Sequence, residues 1–160
     1  FPQDVGFMSD LAVDFKGTIF LLDSVKAMVW VALKDAKSFS PLTKSLREHL
    51  SFPTSLSVDG RGVLFLVDEN GGGIVMLGQD GSFLGRQLTL GWNEGLLYYP
   101  SQMCLNEAGS VFIADFALCL RAWRRRARGW MPCGTSCPRP STGHCSASRF
   151  CSLRRQLSRS

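Results

Sequence analysis

Carboxylates recur at fixed places in the first 117 residues, and a carboxylate can serve as a general acid, a general base or a metal ligand. Three segments align without gaps: LAVDFKGTIFLLD (11–23), LSVDGRGVLFLVD (56–68) and MCLNEAGSVFIAD (103–115). Catalysis needs such a group once per protein, whereas a turn or a strand end needs one in every repeat. The recurrence of the carboxylates at the same repeat positions therefore predicts a structural role. The repeated turn and strand-end positions are Asp14, Gly17, Asp23, Asp59, Gly62, Asp68, Asn106, Gly109 and Asp115.

His49 is the one histidine of residues 1–117, and it lies in the polar segment LTKSLREHL (42–50). The spacing of Leu42, Leu46 and Leu50 predicts a short helical insertion whose apolar side covers a sheet. No nucleophile or acid accompanies His49 in a recognisable motif, so we interpret it as a surface residue and expect no catalytic residue.

A second group of potential ligands lies near the C-terminus, with the spacing C-x3-C-x6-H-C-x5-C. Structural zinc sites usually have paired C-x2-C ligands and a second histidine three to five residues after the first, and this segment has neither. We therefore expect neither metal nor cofactor, and keep these residues only as weak zinc candidates: Cys133, Cys137, His144, Cys145 and Cys151.

The elements that carry the repeated aspartates are predicted to be strands. Each repeat has a tight Asp-x-x-Gly turn, followed by a short apolar run typical of a strand buried on both faces. Further apolar runs follow in the first two repeats, at 28–32 and 74–77, and Phe39 and Phe83 open a fourth strand. A four-stranded unit of about 45 residues is typical of a propeller blade. The predicted fold is all-β, a partial β-propeller of about two and a half to three four-stranded blades.

The repeats resemble the NHL family of β-propellers. The segment FPTSLSVDGRGVLFLVDENGGGIVMLGQDGSFLG (52–85) is similar to an NHL blade over its whole length, and YPSQMCLNEAGSVFIAD (99–115) begins equally well. The resemblance covers residues 1–117, with blades at about 1–44, 45–91 and 92–117 onward. It implies a closed propeller, commonly of six blades, that binds proteins or, in some members, RNA.

Three blades cannot close a ring, because propellers need four or more. We therefore expect a truncated chain, a chain completed by missing blades or by another chain, or exposed sheet faces and edges. Exposed faces and edges predict self-association when this fragment is expressed alone.

Charge divides the chain near residue 117. Residues 1–117 have eight basic and thirteen acidic residues, a net charge of −5, whereas residues 118–160 have ten arginines and no acidic residue. The overall charge of +5 therefore describes neither part. Nucleic acid is not an expected partner of the acidic body, although an Arg-rich tail suits an anionic partner.

Residues 118–160 are predicted to form a disordered or irregular tail rich in Arg, Cys, Ser and Pro. Three explanations stay open: a zinc module, a basic interaction tail, and a shifted reading frame that begins near Leu118. No leader peptide and no apolar stretch of membrane-spanning length is visible, so the compartment stays open, with an extracytoplasmic bacterial location among the alternatives.

The sequence favours a non-enzymatic protein-binding scaffold. Its expected contact surface is formed by the inter-blade loops around 42–52 and 89–101, because such loops line one face of a propeller and aromatic residues anchor interfaces. Packing of these aromatics between blades is an equally good interpretation. Two functional alternatives are a fragment of a propeller enzyme with its active site in missing blades, and an RNA-binding NHL propeller. The surface candidates are His49, Trp92, Asn93, Tyr98 and Tyr99.

Overall fold

The computed structural model describes residues 4–91, 93, 96–106 and 109–116, and the backbone alone of 119–126 and 129–132. Every regular element in these ranges is a β-strand. The described ranges contain no helix that could cross a membrane. The strands are β1 (Met8–Val13), β2 (Ile19–Asp23), β3 (Met28–Ala32), β4 (Ser40–Pro41), β5 (Pro53–Val58), β6 (Leu64–Asp68), β7 (Gly73–Leu77), β8 (Phe83–Gln87), β9 (Pro100–Leu105), β10 (Ser110–Asp115), β11 (Cys119–Arg126) and β12 (Gly129–Pro132).

The strands form three antiparallel four-stranded sheets, ordered β1-β2-β3-β4, β5-β6-β7-β8 and β9-β10-β11-β12. Each sheet is a simple meander, and the first strands of consecutive sheets, β1, β5 and β9, lie next to one another. This is the blade arrangement of a β-propeller. The prediction of an all-β partial propeller with four-stranded blades is confirmed. We call the sheets blades 1, 2 and 3.

Two apolar clusters hold the blades together. One lies between blades 1 and 2, where Phe20 and Leu22 meet Leu64 and Leu66. The other lies between blades 2 and 3, where Phe65 and Val67 meet Val111 and Ile113 of blade 3. Blade 2 is covered on both faces, so every residue of β6 and β7 is buried. This explains why the sequence shows continuous apolar runs there rather than alternation.

The repeated Asp-x-x-Gly segment forms the turn between the first two strands of each blade. In blade 1, Asp14 Oδ1 accepts hydrogen bonds from the N–H groups of Lys16 at 2.9 Å and Thr18 at 2.8 Å. Asp59 accepts both corresponding bonds in blade 2, and Asn106 accepts the one from Ser110 N–H in blade 3. The glycine that closes the turn has a φ of 73 to 82° in all three blades, a conformation that strains any residue with a Cβ. These glycines are Gly17, Gly62 and Gly109.

The predicted helix at 42–50 is wrong. The N–H groups of Leu42 and Leu46 donate to carbonyls at the start of blade 1's third strand, those of Val29 and Ala27, instead of entering a helical ladder. A single turn closes on Leu46, whose carbonyl accepts from Leu50 N–H at 2.8 Å. The leucines still cover the sheet, since Leu46 and Leu50 are buried in the first cluster.

The described backbone of blade 3 continues beyond residue 117. The backbone of β11 pairs with β10, and β12 pairs with β11, so the start of the proposed tail supplies the two outer strands. Backbone groups make the ladder, so a basic composition does not prevent strand pairing. The rest of the tail, with Cys133, Cys137, His144, Cys145 and Cys151, lies outside the described residues.

Blade 1 exposes one apolar side of its first strand. Leu11 is 53% exposed, whereas Leu56, the residue at the same position of blade 2, is 3% exposed because blade 1 covers it. Val13, next on the same side of β1, is also exposed. Self-association through this surface stays a prediction.

A candidate binding face at the clamped ends of the blades

Each blade contains the same hydrogen-bonded device, which we call the clamp. The aspartate that ends the second strand is buried, and its carboxylate accepts hydrogen bonds from two consecutive N–H groups of the segment that enters the first strand. The bonds are 2.7 to 3.3 Å long. The donors are Gly6 and Phe7 for Asp23, Ser51 and Phe52 for Asp68, and Tyr98 and Tyr99 for Asp115.

The clamp also contains a hydrogen bond in which the end of the second strand is the donor and the entry segment is the acceptor. The residue after each aspartate donates its N–H to the carbonyl of the second clamped residue, at 2.9 Å in blades 1 and 3 and 3.0 Å in blade 2. Both polar backbone groups of that second residue are therefore engaged. The entry segment of each blade is fixed to the end of the second strand. The second clamped residues are Phe7, Phe52 and Tyr99.

The carboxylates of Asp23 and Asp68 are held in their ionised form. Burial alone would raise the pKa of Asp23 and Asp68, but the hydrogen bonds that they accept outweigh it and leave both pKa values below the ordinary 3.8. A carboxylate that is buried, ionised and occupied by backbone donors is a poor general base, so this geometry suits Asp23 and Asp68 to positioning the entry segment.

Blade 2 adds an arginine to its clamp. Arg86 Nη2 lies 2.7 Å from Asp68 Oδ2, and Arg86 Nη1 donates to the Gly71 carbonyl at 3.1 Å. Arg86 Nη2 also donates to the carbonyl of His49. One guanidinium thus joins the buried carboxylate, the turn after it and the inter-blade segment.

His49 lies beside this clamp and is only partly exposed. Its ring stacks on Phe83 with the centroids 3.9 Å apart and an angle of 9° between the planes. The backbone of His49 is held by Arg86, so the residue contributes a fixed aromatic surface rather than a mobile side chain.

The two tyrosines of the predicted surface lie at the clamp of blade 3. Their rings contact edge to face with centroids 4.6 Å apart. Desolvation, together with the charge and the hydrogen bond of Tyr99, raises the pKa of Tyr98 above 10.0. Asn93 is exposed, and its carbonyl accepts from Leu96 N–H at 3.1 Å. Trp92 lies outside the described residues.

Sequence reasoning missed three residues of this face. Phe7 and Phe52 precede the closing aspartate by 16 residues, as Tyr99 does, so a comparison of the three repeats extended toward their N-terminal ends could have found them. Arg86 had no such signal, because the aligned position in blade 1 is Pro41.

A polar cavity of about 260 Å³ lies between the first strands of the three blades, and Asp10, Ser57 and Gln102 are among its lining residues. Asp10 Oδ2 accepts from Ser55 Oγ and Leu56 N–H, both at 2.8 Å, so this carboxylate is engaged in joining blades 1 and 2. No cluster of three metal-ligating side chains occurs in the part of the chain that the structure describes.

No family model and no curated protein sequence matches this chain. Solved β-propeller structures do. A catalytically inactive virginiamycin B lyase from Staphylococcus aureus, determined with quinupristin, is 17% identical with a TM-score of 0.66, and the match covers 89% of this chain and 45% of the lyase. A gluconolactonase from Xanthomonas campestris is 17% identical with a TM-score of 0.58, covering 82% and 48%.

A chain of a nidogen/laminin complex is 20% identical with a TM-score of 0.51, and the match covers 78% of this chain and 62% of that one. At these identities the similarity shows the fold alone, which is that of β-propeller proteins. The chain spans less than half the length of the lyase and of the gluconolactonase. The similar structures include enzymes and a binding protein.

Proposed function

We propose that this chain is an NHL-type propeller scaffold that binds a protein segment on the face formed by the three clamps. This clamped face comprises residues 4–7, 42–52 and 96–99. The observation that carries the proposal is that buried carboxylates fix the backbone of this face while aromatic side chains on it stay exposed. The NHL assignment is supported by the blade-length motif at 52–85.

A fixed, exposed aromatic surface is well suited to binding. A partner that docks on it loses little free energy to ordering of the protein, since the hydrogen bonds of the clamps have already ordered the backbone. Aromatic side chains supply a large contact area with few rotatable bonds and commonly dominate binding energy. The acidic body, with its net charge of −5, favours protein over RNA as the partner.

An enzymatic function is the second candidate, since two of the similar structures are enzymes. The polar cavity between the first strands of the three blades is the place where a small substrate would fit. Asp10 provides the one carboxylate of the described lining, and it is engaged by hydrogen bonds from Ser55 and Leu56. This favours the scaffold function over an enzymatic one.

The proposal is tested by selecting random peptides displayed on phage against the immobilised 160-residue chain. Enriched peptides are then titrated against wild type, Tyr98→Ala and Phe15→Ala. Phe15 is a matched aromatic control, because it is 73% exposed in the turn at the opposite end of blade 1. We expect Tyr98→Ala to weaken binding several-fold and Phe15→Ala to leave it unchanged. Failure to enrich any peptide, or equal losses in both variants, would overturn the proposal.

A further inference from the structure

The first and the last blade each leave one side uncovered. The front side of blade 1 carries Leu11 and Val13, which are 53% and 52% exposed. The back side of blade 3 carries Phe112 and Ala114 of β10, which are only partly buried. We propose that two copies of this chain join head to tail, with the back of each blade 3 packed on the front of the other blade 1, and close a six-bladed ring. The inference goes beyond the proposed function, because it concerns other surfaces than the clamped face.

The two uncovered sides are the kinds of side that neighbouring blades already use on each other. Leu56 holds the repeat position of Leu11 on the front of blade 2, and it is 3% exposed because the back of blade 1 covers it. A single chain therefore presents one unused front and one unused back, which a second copy fits. In blades 1 and 2, the back-side residues at the repeat positions of Phe112 and Ala114 are buried against the next blade: Phe20, Leu22, Phe65 and Val67.

The burial pattern of β10 shows that blade 3 lacks its next neighbour. Val111 and Ile113 face blade 2 and are buried, and they alternate with partly buried residues along the strand. At the same place in blade 2, every residue of β6 is buried. Alternation is typical of a strand that is covered on one face alone.

The uncovered part of the front of blade 1 is its first strand. Leu21 and Trp30, farther out on the same side, are already buried. An exposed first strand suffices for a junction, because within the chain the first strand of each blade contacts the first two strands of the preceding blade. The proposed junction therefore sets β1 of one copy on β9 and β10 of the other.

A polar link repeats at the junctions within the chain. Asp10 Oδ2 accepts a hydrogen bond from Leu56 N–H at 2.8 Å. Ser55 Oγ, at the same repeat position of blade 2, accepts one from Met103 N–H at 3.2 Å. Gln102 holds this position in blade 3 and is exposed, and its amide oxygen is also an acceptor. The donor that the repeat assigns to Gln102 is the leucine N–H of β1 in the second copy.

The length of the chain suits a ring of two copies. The structural matches cover 45% of the lyase and 48% of the gluconolactonase, so one copy supplies a little under half of a propeller. Three blades cannot close a ring, whereas six lie within the usual range for propellers. A twofold axis uses the same head-to-tail junction twice and leaves no blade side uncovered. The ring also surrounds the polar cavity, because the first strands of all blades line its central channel.

The test is sedimentation velocity of the whole chain over a range of concentrations. We expect monomer and dimer alone, with a dimer fraction that rises with concentration, so that the dilute chain is a single copy and keeps the stability of one. Leu11→Asp sets a charge in the junction and should weaken association at least about tenfold. Leu33→Asp is the matched control, because Leu33 is 68% exposed after the end of β3, and it should associate as wild type does.

A cross-link tests the orientation of the two copies. At the junction of blades 2 and 3, Ser57 Oγ donates to the Met103 carbonyl at 3.3 Å. The same repeat positions across the proposed junction are held by Cys104 of one copy and Leu11 of the other. Leu11→Cys should therefore form an intermolecular disulfide with Cys104 under oxidised glutathione, and mass spectrometry of the covalent dimer maps it. Adding Cys104→Ser should abolish this cross-link.

Three results would overturn the inference: a chain that stays monomeric at every concentration, equal association of wild type and Leu11→Asp, and species that grow beyond the dimer. An equal loss of association in Leu33→Asp would do the same. If Leu11→Asp fails to fold, the cross-link decides, and a covalent dimer linked only through cysteines of residues 118–160 would contradict the ring. Peptide selection on the clamped face is a separate measurement, so either proposal can fail while the other stands.

Discussion

The clamps of blades 1 and 2 both fix an entry segment to the end of the second strand, but their carboxylates have different hydrogen-bond partners. Asp23 in blade 1 accepts hydrogen bonds from backbone N–H groups, including that of Lys26 at 2.9 Å. Asp68 in blade 2 has the equivalent backbone donors and also the guanidinium of Arg86. Both carboxylates are buried and ionised, yet only the second has a cationic side chain bonded to it.

This difference separates what the repeat requires from what one blade adds. The backbone donors are common to all three clamps, so they are sufficient to fix the entry segment. Arg86 extends the clamp to the carbonyl of His49, and so fixes a longer inter-blade segment than blade 1 has. Blade 2 is also covered on both faces, whereas blade 1 exposes Leu11. We therefore expect blade 2 to be the more stable part.

The largest effect is expected from removing the blade 2 clamp. Asp68→Ala leaves several buried donors and Arg86 without their acceptor, and should lower the free energy of unfolding by about 3 to 4 kcal/mol. Asp23→Ala leaves only backbone donors without an acceptor, and should lower the free energy of unfolding by about 2 kcal/mol. Urea denaturation measures both. Equal losses would mean that Arg86 adds nothing to the clamp.

The second comparison uses two leucines at the same repeat position. Leu56→Ala opens a cavity between blades 1 and 2 and should cost about 3 kcal/mol. Leu11→Ala removes an exposed side chain and should change stability by less than about 0.5 kcal/mol. The urea midpoints of the two variants measure the difference in their stability losses. A large loss in Leu11→Ala would show that its side chain is covered in solution.

A smaller effect is expected from Arg86→Met, which keeps much of the apolar stem but removes the charged donors. Because Asp68 retains its backbone donors, the loss should be about 1 to 2 kcal/mol. Amide hydrogen exchange should become faster at residues 48–52 and stay unchanged at the blade 1 clamp. Faster exchange at both clamps would contradict a role confined to blade 2.

The smallest effect is expected from acid. The folded-state pKa values of Asp23 and Asp68 lie below the ordinary 3.8, so the stability that these groups contribute is fully present above about pH 4. It is lost as the pH falls through the lower folded-state values. Urea midpoints measured from pH 7 down to pH 3 should therefore fall at the acid end, and Asp68→Asn should flatten the curve. A wild-type midpoint independent of pH would contradict ionised clamps.

Local patterns explain how much of the fold could be predicted. The apolar runs that became β2, β3, β6 and β7 were visible because both faces of these strands are buried or nearly so. The helix predicted at 42–50 failed because leucines four residues apart also suit an irregular segment whose N–H groups bond to Ala27 and Val29. Apolar spacing alone does not distinguish these two cases.

The candidate site was only partly predictable for a related reason. His49 and the two tyrosines were found because aromatic residues near predicted loops are noticeable. Phe7 and Phe52 were passed over because phenylalanine is usually a core residue, and its exposure depends on the clamp, which is a long-range contact. Arg86 pairs with Asp68 across 18 positions of the chain, and no local pattern indicates such a pair.

The most direct test of the account is a hydrogen–deuterium exchange footprint of the 160-residue chain with a phage-selected peptide bound. The account predicts slower exchange at residues 4–7, 48–52 and 96–99, and no change at the turn of residues 14–17 at the opposite end of blade 1. A footprint confined to that turn, or to the exposed side of β1, would show that the clamped face is not the binding surface.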